Sequence, residues 1–244
     1  MNCLLIETEE FASEEQGAGS AAGRVRIEGR RRKHAEEILG ARVGDTLRVG
    51  LVDGRMGEGE IRKLDPDVLE IDVVLDELPP PKHALRLILA LPRPPVFKRV
   101  ITTLASLGVE EVMVVGTART EKSFWQSHVV TPEAIRDRLL LGLEQARDTV
   151  LPKVTMHRYF EPLVEEVLPT AIEGRRALLA HPSAEVLCPH APDGPLTLFV
   201  GPEGGFVDYE VERLCSIGFE KVGLGPRILR VEPVIPLLIG RLLA

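Results

Sequence analysis

The run Arg227-Ile228-Leu229-Arg230-Val231-Glu232 sets two guanidiniums and a carboxylate in an otherwise apolar segment. Charges of this kind are awkward to bury without a purpose, so the run reads as the edge of a site. Two glycine-rich bends precede it, Gly201-Pro202-Glu203-Gly204-Gly205 and Leu224-Gly225-Pro226. Glycines around a proline at a strand end let backbone approach a flat ligand closely and turn N–H groups towards it. A second concentration of charge lies near the other end of the chain. Arg24, Arg26, Arg30, Arg31, Arg32 and Lys33 face a single acid, Glu28, and His34 follows at once. In a chain of formal net charge −7, so segregated a run is the footprint that phosphate binding needs.

The elements that must hold these residues follow from periodicity. Residues 196–200 form a short apolar, β-branched run of the buried parallel-strand type, and it ends at the first glycine bend. Asp208 is the expected N-cap and Gly218 the expected C-cap of a helix between them, after which 219–223 return as a strand and break at the second bend. The two bends are expected side by side at the carboxyl edge of one sheet, where open α/β sheets bind ligands. Further strands are expected at 85–91, 109–115, 153–157 and 176–180. Helices are expected at 96–107, closed by Gly108, and after the Thr131-Pro132 cap, where Ile135, Leu139, Leu140, Leu143 and Ala146 make an inner stripe.

Ahead of Leu78-Pro79-Pro80-Pro81-Lys82 the texture is different. Short strands at 4–7, 23–28, 46–51, 57–62 and 68–74 are divided by glycine turns, among them Asp53-Gly54, and point to a small β-barrel with one helix near 32–39. The glycine, serine and glutamate between Ala12 and Ala22 predict a mobile loop. Consecutive prolines stiffen the connector, so the expected domains are 1–78 and 79–244.

Bulk properties narrow the class. A composition 44% hydrophobic and 27% charged belongs to a globular protein, and aromatics at 4% leave room only for a small base-stacking platform. Cys3, Cys188 and Cys215 are widely spaced, which gives neither a disulfide framework nor a zinc site, and no metal cluster is visible. The acidic start is too short for a secretory signal and no apolar run approaches a membrane span, so a reducing cytoplasm is the expected compartment.

VGPEGGF followed by LGPRILRVE resembles the cofactor half of the SPOUT class of RNA methyltransferases. More narrowly it is similar to the ribosomal RNA small subunit methyltransferase E type, which methylates N3 of a uridine in 16S ribosomal RNA. LALPRPPVFKRV, SLGVEEVMVV, ARTEKSFWQS and GLEQARDTVLP extend the likeness, in family order, over nearly the whole chain. The resemblance implies an α/β fold with a C-terminal trefoil-knotted methyltransferase domain, an N-terminal PUA-like barrel, S-adenosylmethionine as cofactor and a homodimer. The implied partner is 16S ribosomal RNA or the assembled small subunit.

On that reading Ala180, His181, Pro182, Val200, Gly201, Glu203, Gly204, Gly205, Leu224, Gly225, Ile228 and Leu229 form the cofactor slot. Arg230, Glu232 and Arg119 serve the reacting centre, with Arg230 stabilising the uridine or meeting a phosphate, and Glu232 as base or as its partner. Arg24, Arg26, Arg30, Arg31, Arg32, Lys33 and His34 contact RNA. The chain departs from the family at Gly40, where an arginine is common, and at Pro233-Val234, where Thr-Ala is common. A nicotinamide dehydrogenase would need GxGxxG after the first strand of this domain, which instead runs into Pro92-Arg93-Pro94-Pro95. No GK[ST] triplet supports a P-loop. The remaining alternative is an RNA-binding protein that keeps the fold but has lost catalysis through Pro233.

Overall fold

The computed structural model describes residues 2–17 and 20–243, which fall into two compact units. One comprises Met1–Pro81 with Leu140–Leu151, the other Lys82–Leu139 with Pro152–Ala244.

The first unit is a six-stranded sheet: β1 (Leu4–Ile6), β2 (Phe11–Gly17), β3 (Ser20–Ile27), β4 (Thr46–Leu51), β5 (Met56–Leu64) and β6 (Leu69–Glu77). Their order is β1-β4-β5-β6-β3-β2, antiparallel except for the β1–β4 pair. Alternation along β6 sends Leu69, Ile71, Val73 and Leu75 inward, where they meet Leu4, Ile6, Val25, Val49 and Ile61 in one cluster. Helix α1 (Gly29–Glu37) adds Ala35 to it and starts earlier than its apolar residues suggest.

Two expectations change here. Where a mobile loop is expected, β2 and β3 pair antiparallel from Phe11↔Val25 to Gly17↔Ser20, and β3 pairs onward with β6; residues 18 and 19 of that loop lie outside the described residues. A ladder satisfies backbone groups whatever the side chains, so polar composition alone does not forbid a strand. The first unit also claims a segment from beyond the proline connector. Asn2 N and Cys3 N donate to Glu144 O at 2.9 and 3.0 Å, Leu151 N donates to Asp53 Oδ1 at 2.8 Å, and Thr149 Oγ1 donates to Gly54 O at 2.6 Å.

The second unit is a six-stranded, wholly parallel sheet ordered β12-β10-β11-β7-β8-β9. Its strands are β7 (His83–Ala90), β8 (Val109–Val115), β9 (Lys153–His157), β10 (Arg176–Ala180), β11 (Leu196–Val200) and β12 (Glu220–Val222). Its helices are α2 (Pro94–Ser106), α3 (Pro132–Ala146, running on into the first unit), α4 (Phe160–Pro162), α5 (Leu168–Ala171), α6 (Asp208–Ser216) and α7 (Val231–Leu243), with a π-helical turn, Leu163–Val167, between α4 and α5. Ile88, Ala90, Met113, Val115, Leu179 and Phe199 form one core face with Phe160, Leu163, Leu168, Phe206 and Leu214. Leu87, Leu89 and Leu91 alternate to the other side and are equally buried, while α2 packs on β8 and α7. That double burial is why β7 and β8 read as nearly unbroken apolar runs.

Candidate functional site

Because the second sheet is parallel, the loops leaving β10, β11 and β12 share one edge. In register, Ala180 stands opposite Val200 on one side and Val222 on the other, so these last residues form a level floor. The two glycine bends are not adjacent as expected: β10 separates them, and His181-Pro182 rises between. A cleft of about 470 Å³ opens above, within the size range of small-molecule sites.

All twelve residues expected in a cofactor slot line this cleft: Ala180, His181, Pro182, Val200, Gly201, Glu203, Gly204, Gly205, Leu224, Gly225, Ile228 and Leu229. Their conformations have identifiable causes. Gly205 and Gly225 take φ of +72° and +103°, which side chains rarely adopt. A Cβ on Gly201 would stand 2.9 Å from the Phe206 ring. That ring packs edge-on against Phe199 of the floor strand at 5.2 Å between centroids and pins the bend to the core. Ile228 lies 84% exposed at the rim. Burial lowers the pKa of His181, keeping its ring neutral near pH 7, while its Nδ1 lies 2.8 Å from the Ser183 hydroxyl.

Sequence reasoning left out Pro202, Phe206, Asp208, Val222, Gly223, Arg227, Val231, Val234 and Leu238, which also line the cleft. The last three carried a legible signal, since i, i+3, i+7 spacing sets them on one face of α7. Asp208, expected as an N-cap, is instead the first residue of α6 behind Val207.

The three residues expected at the reacting centre divide. Arg119 is on the wall, its Nη1 donating to Gly204 O at 2.6 Å. Arg230 is exposed just before α7 and does not line the cleft. Glu232 is turned away with it and forms a bidentate pair with Arg99 of α2. The reason is helical phase: with Val231, Val234 and Leu238 facing the cleft, position 232 must face α2. Arg227 is the guanidinium that the charged run does present to the cleft, without a carboxylate partner among the described residues. Glu203 is partly committed, accepting from Arg93 N at 3.1 Å ahead of α2.

In the first unit, the residues expected to contact RNA are largely engaged. Arg24 is bidentate to Asp72, its partner in β3–β6 register, and Arg26 pairs with Glu28. Arg30 is bidentate to Glu144, itself only 2% exposed. Arg31 meets Glu10 at 2.9 Å, and Arg32, 4% exposed, meets Glu36 and Asp65 O. Lys33 is exposed without a partner among the described residues. Burial lowers the pKa of His34, whose Nε2 has no hydrogen-bond partner.

Residues 79–242 match the model of the RNA methyltransferase domain family. The chain belongs to that family. Across 95% of its length it is 28% identical to a ribosomal RNA small subunit methyltransferase E from Treponema pallidum, covering 86% of that protein. A ribosomal RNA small subunit methyltransferase E 1 from Borreliella burgdorferi is 24% identical over 95% of this chain and 93% of its own. Among solved structures, a ribosomal RNA small subunit methyltransferase E from Neisseria gonorrhoeae bound to S-adenosylmethionine superposes with a TM-score of 0.73. It is 20% identical, with 98% of this chain and 95% of that one covered. The chain therefore shares the overall fold of that solved structure.

Proposed function

We propose that this chain transfers the methyl group of S-adenosylmethionine to N3 of a specific uridine in 16S ribosomal RNA, free or within the small subunit. The observation that carries the reading is one cleft at the carboxyl edge of a parallel sheet, walled by two glycine bends and bearing both free guanidinium and carboxylate groups. The fit to the cofactor is physical. Glycine backbone and apolar side chains (Leu224, Ile228, Leu229) suit the flat adenine, and the Glu203 and Asp208 carboxylates suit a cationic ligand.

When bound, S-adenosylmethionine supplies a methyl group on a sulfonium centre that needs little activation. The acceptor is the harder partner, since uridine N3 is a weak acid comparable to a tyrosine phenol, about 10. Arg119 and Arg227 favour the uridine anion electrostatically. Asp208, whose charge acts on His181, is the wall carboxylate available to take the proton. The cleft walls hold the reactants in line, a contribution of roughly 7–11 kcal/mol in well-oriented systems. Arg230, at the rim, meets a phosphate rather than the base, and Glu232 holds α7 to α2 through Arg99.

The first unit serves as a PUA-like barrel that contacts RNA through its exposed cations, Arg24, Arg26, Arg30 and Lys33. The pairs Arg24–Asp72 and Arg26–Glu28 are exposed and contribute only about 0–1 kcal/mol, so a phosphate can displace their carboxylates; Lys33 has none to displace among the described residues, and Arg30 keeps its pair with the buried Glu144. The second unit is threaded as a trefoil knot. In support, the segment after β10 bonds to the end of β12 (Gly223 N to Val186 O, 2.9 Å; Cys188 N to Gly223 O, 2.8 Å) and to α7 (Ala191 N to Arg241 O, 3.0 Å). A second copy covers the half-exposed Leu237 of α7, giving a homodimer. No helix among the described residues is long and apolar enough to cross a membrane, and the three cysteines are free, as suits a cytoplasmic enzyme. Pro233 does not argue for a dead enzyme, because it occupies the first turn of α7, where N–H groups have no helical acceptor.

Calorimetry with S-adenosylmethionine, followed by transfer of a tritiated methyl group to 16S ribosomal RNA, tests the reading. Saturable binding and a single N3-methyluridine mapped by primer extension are expected. Absence of binding heat, or methylation at a ribose hydroxyl, would refute it.

A further inference from the structure

Glu210, in the first turn of α6, is a carboxylate only 2% exposed, with no lysine or arginine beside it in any ion pair among the described residues. Its two oxygens divide their work. Oε2 accepts from Val207 N at 3.0 Å, the back-bond that closes the start of α6. Oε1 accepts from Ala118 N at 2.7 Å, across 92 residues of sequence. Capping the helix needs only the first bond. The second reaches the residue before Arg119.

The loop held in this way is itself stiff. Thr117 N donates to Thr120 Oγ1 at 3.2 Å and Thr120 N returns to Thr117 O at 3.0 Å. From it Arg119 lies over the first glycine bend, donating to Gly204 O, with its stem where a Cβ on Gly204 would come within 3.1 Å of it. Two cleft segments and α6 are thus joined through one buried carboxylate.

We propose that Glu210 is a positioning residue for methyl transfer: it fixes the 117–120 loop so that Arg119 is held over the glycine bend in the cleft. The inference rests on the methyl-transfer reading above, with Arg119 as a group acting on the uridine. Both oxygens of Glu210 matter because one N–H group donates to each, and in an amide one of them is replaced by an NH2 that opposes its donor.

The test couples two substitutions and adds a readout independent of turnover. Glu210→Gln is expected to lower kcat about 10- to 100-fold, the cost of a small misplacement of a catalytic group, with the Kd for S-adenosylmethionine within threefold of wild type. In an Arg119→Ala background the same change should lower kcat by less than twofold, because the group it positions is gone. If the two losses multiply instead, Glu210 does not act through Arg119 and the proposal fails. Amide exchange of the wild-type protein, followed by NMR, covers the case in which the variant does not fold. Ala118 N–H should be strongly protected, and exchange at the rate of an open loop would overturn the proposal. A wild-type protein that binds no cofactor would overturn the functional reading instead, while leaving the Ala118 protection as it is.

Discussion

The basic run of the first unit and the arginines of the cleft make opposite use of the same side chain. Arg24, Arg26, Arg30, Arg31 and Arg32 each meet a carboxylate, whereas Arg119 and Arg227 meet none among the described residues. The richer cluster in sequence is thus the more neutral one in space. Acids that sequence scatters at Glu10, Asp72 and Glu144 converge on the run through strand register and through the 140–151 segment. At the cleft, Arg119 lies against the Gly204 backbone, which carries no counter-charge. A free positive field is set by what is absent around it as much as by the residues that generate it.

The sharpest way to break this contrast is by activity. Arg227→Ala should reduce kcat on 16S ribosomal RNA by about 100-fold, the scale of losing one charge-stabilising donor, with cofactor affinity within threefold. Arg26→Ala should change kcat by less than threefold. The reverse ranking in the tritiated-methyl assay would move the reacting centre away from the cleft arginines.

Stability offers the complementary test. Removing Arg30 strands the buried Glu144 carboxylate, so Arg30→Ala should destabilise the protein by about 2 kcal/mol in a denaturant titration. Arg227→Ala, which breaks no pair, should fall within about 0.5 kcal/mol of wild type. Equal costs would mean that the first-unit pairs are as incidental as ordinary surface pairs.

Salt dependence sharpens the comparison further. A free cation that contacts phosphate contributes roughly 0.7–0.9 to the slope of log K against log salt, whereas a paired one gives back part of that in lost carboxylate contact. Arg230→Ala should therefore lower the slope of RNA binding by about that amount, and Arg24→Ala by less. A larger change for Arg24 would return the phosphate contacts to the first unit.

The smallest expected effect is with pH. Hydrogen bonds from Arg24, and then from Arg62, hold Asp72 at about 2, below its ordinary 3.8. A depressed carboxylate adds stability that is fully present above the unfolded value and is lost as pH falls through the folded one. The stability difference between wild type and Asp72→Asn should accordingly be constant above pH 4 and shrink between about 4 and 2 in equilibrium unfolding. A difference that persists below pH 2 would deny the ion pair its role.

Much of the fold and the cleft was legible in residue order. The strands at 109–115, 176–180 and 196–200 follow from largely apolar runs cut by glycine and proline, because burial on both faces favours that composition. The cleft lining was legible because sharp bends at strand ends draw on glycine, as Gly205 and Gly225 do at φ of +72° and +103°. The β2–β3 ladder was not, since backbone hydrogen bonds leave little trace in polar side chains. Nor was the commitment of Glu232, whose bidentate partner Arg99 lies 133 residues away in sequence.

Sequence by itself therefore determined strands of the parallel sheet and the residues that line its cleft, through local demands that each residue type imposes on its own backbone. Tertiary structure alone decided which charges are free. Whether an arginine is spent on a carboxylate or left for a ligand depends on partners tens of residues away, and Coulomb's law acts on distance in space rather than on distance along the chain.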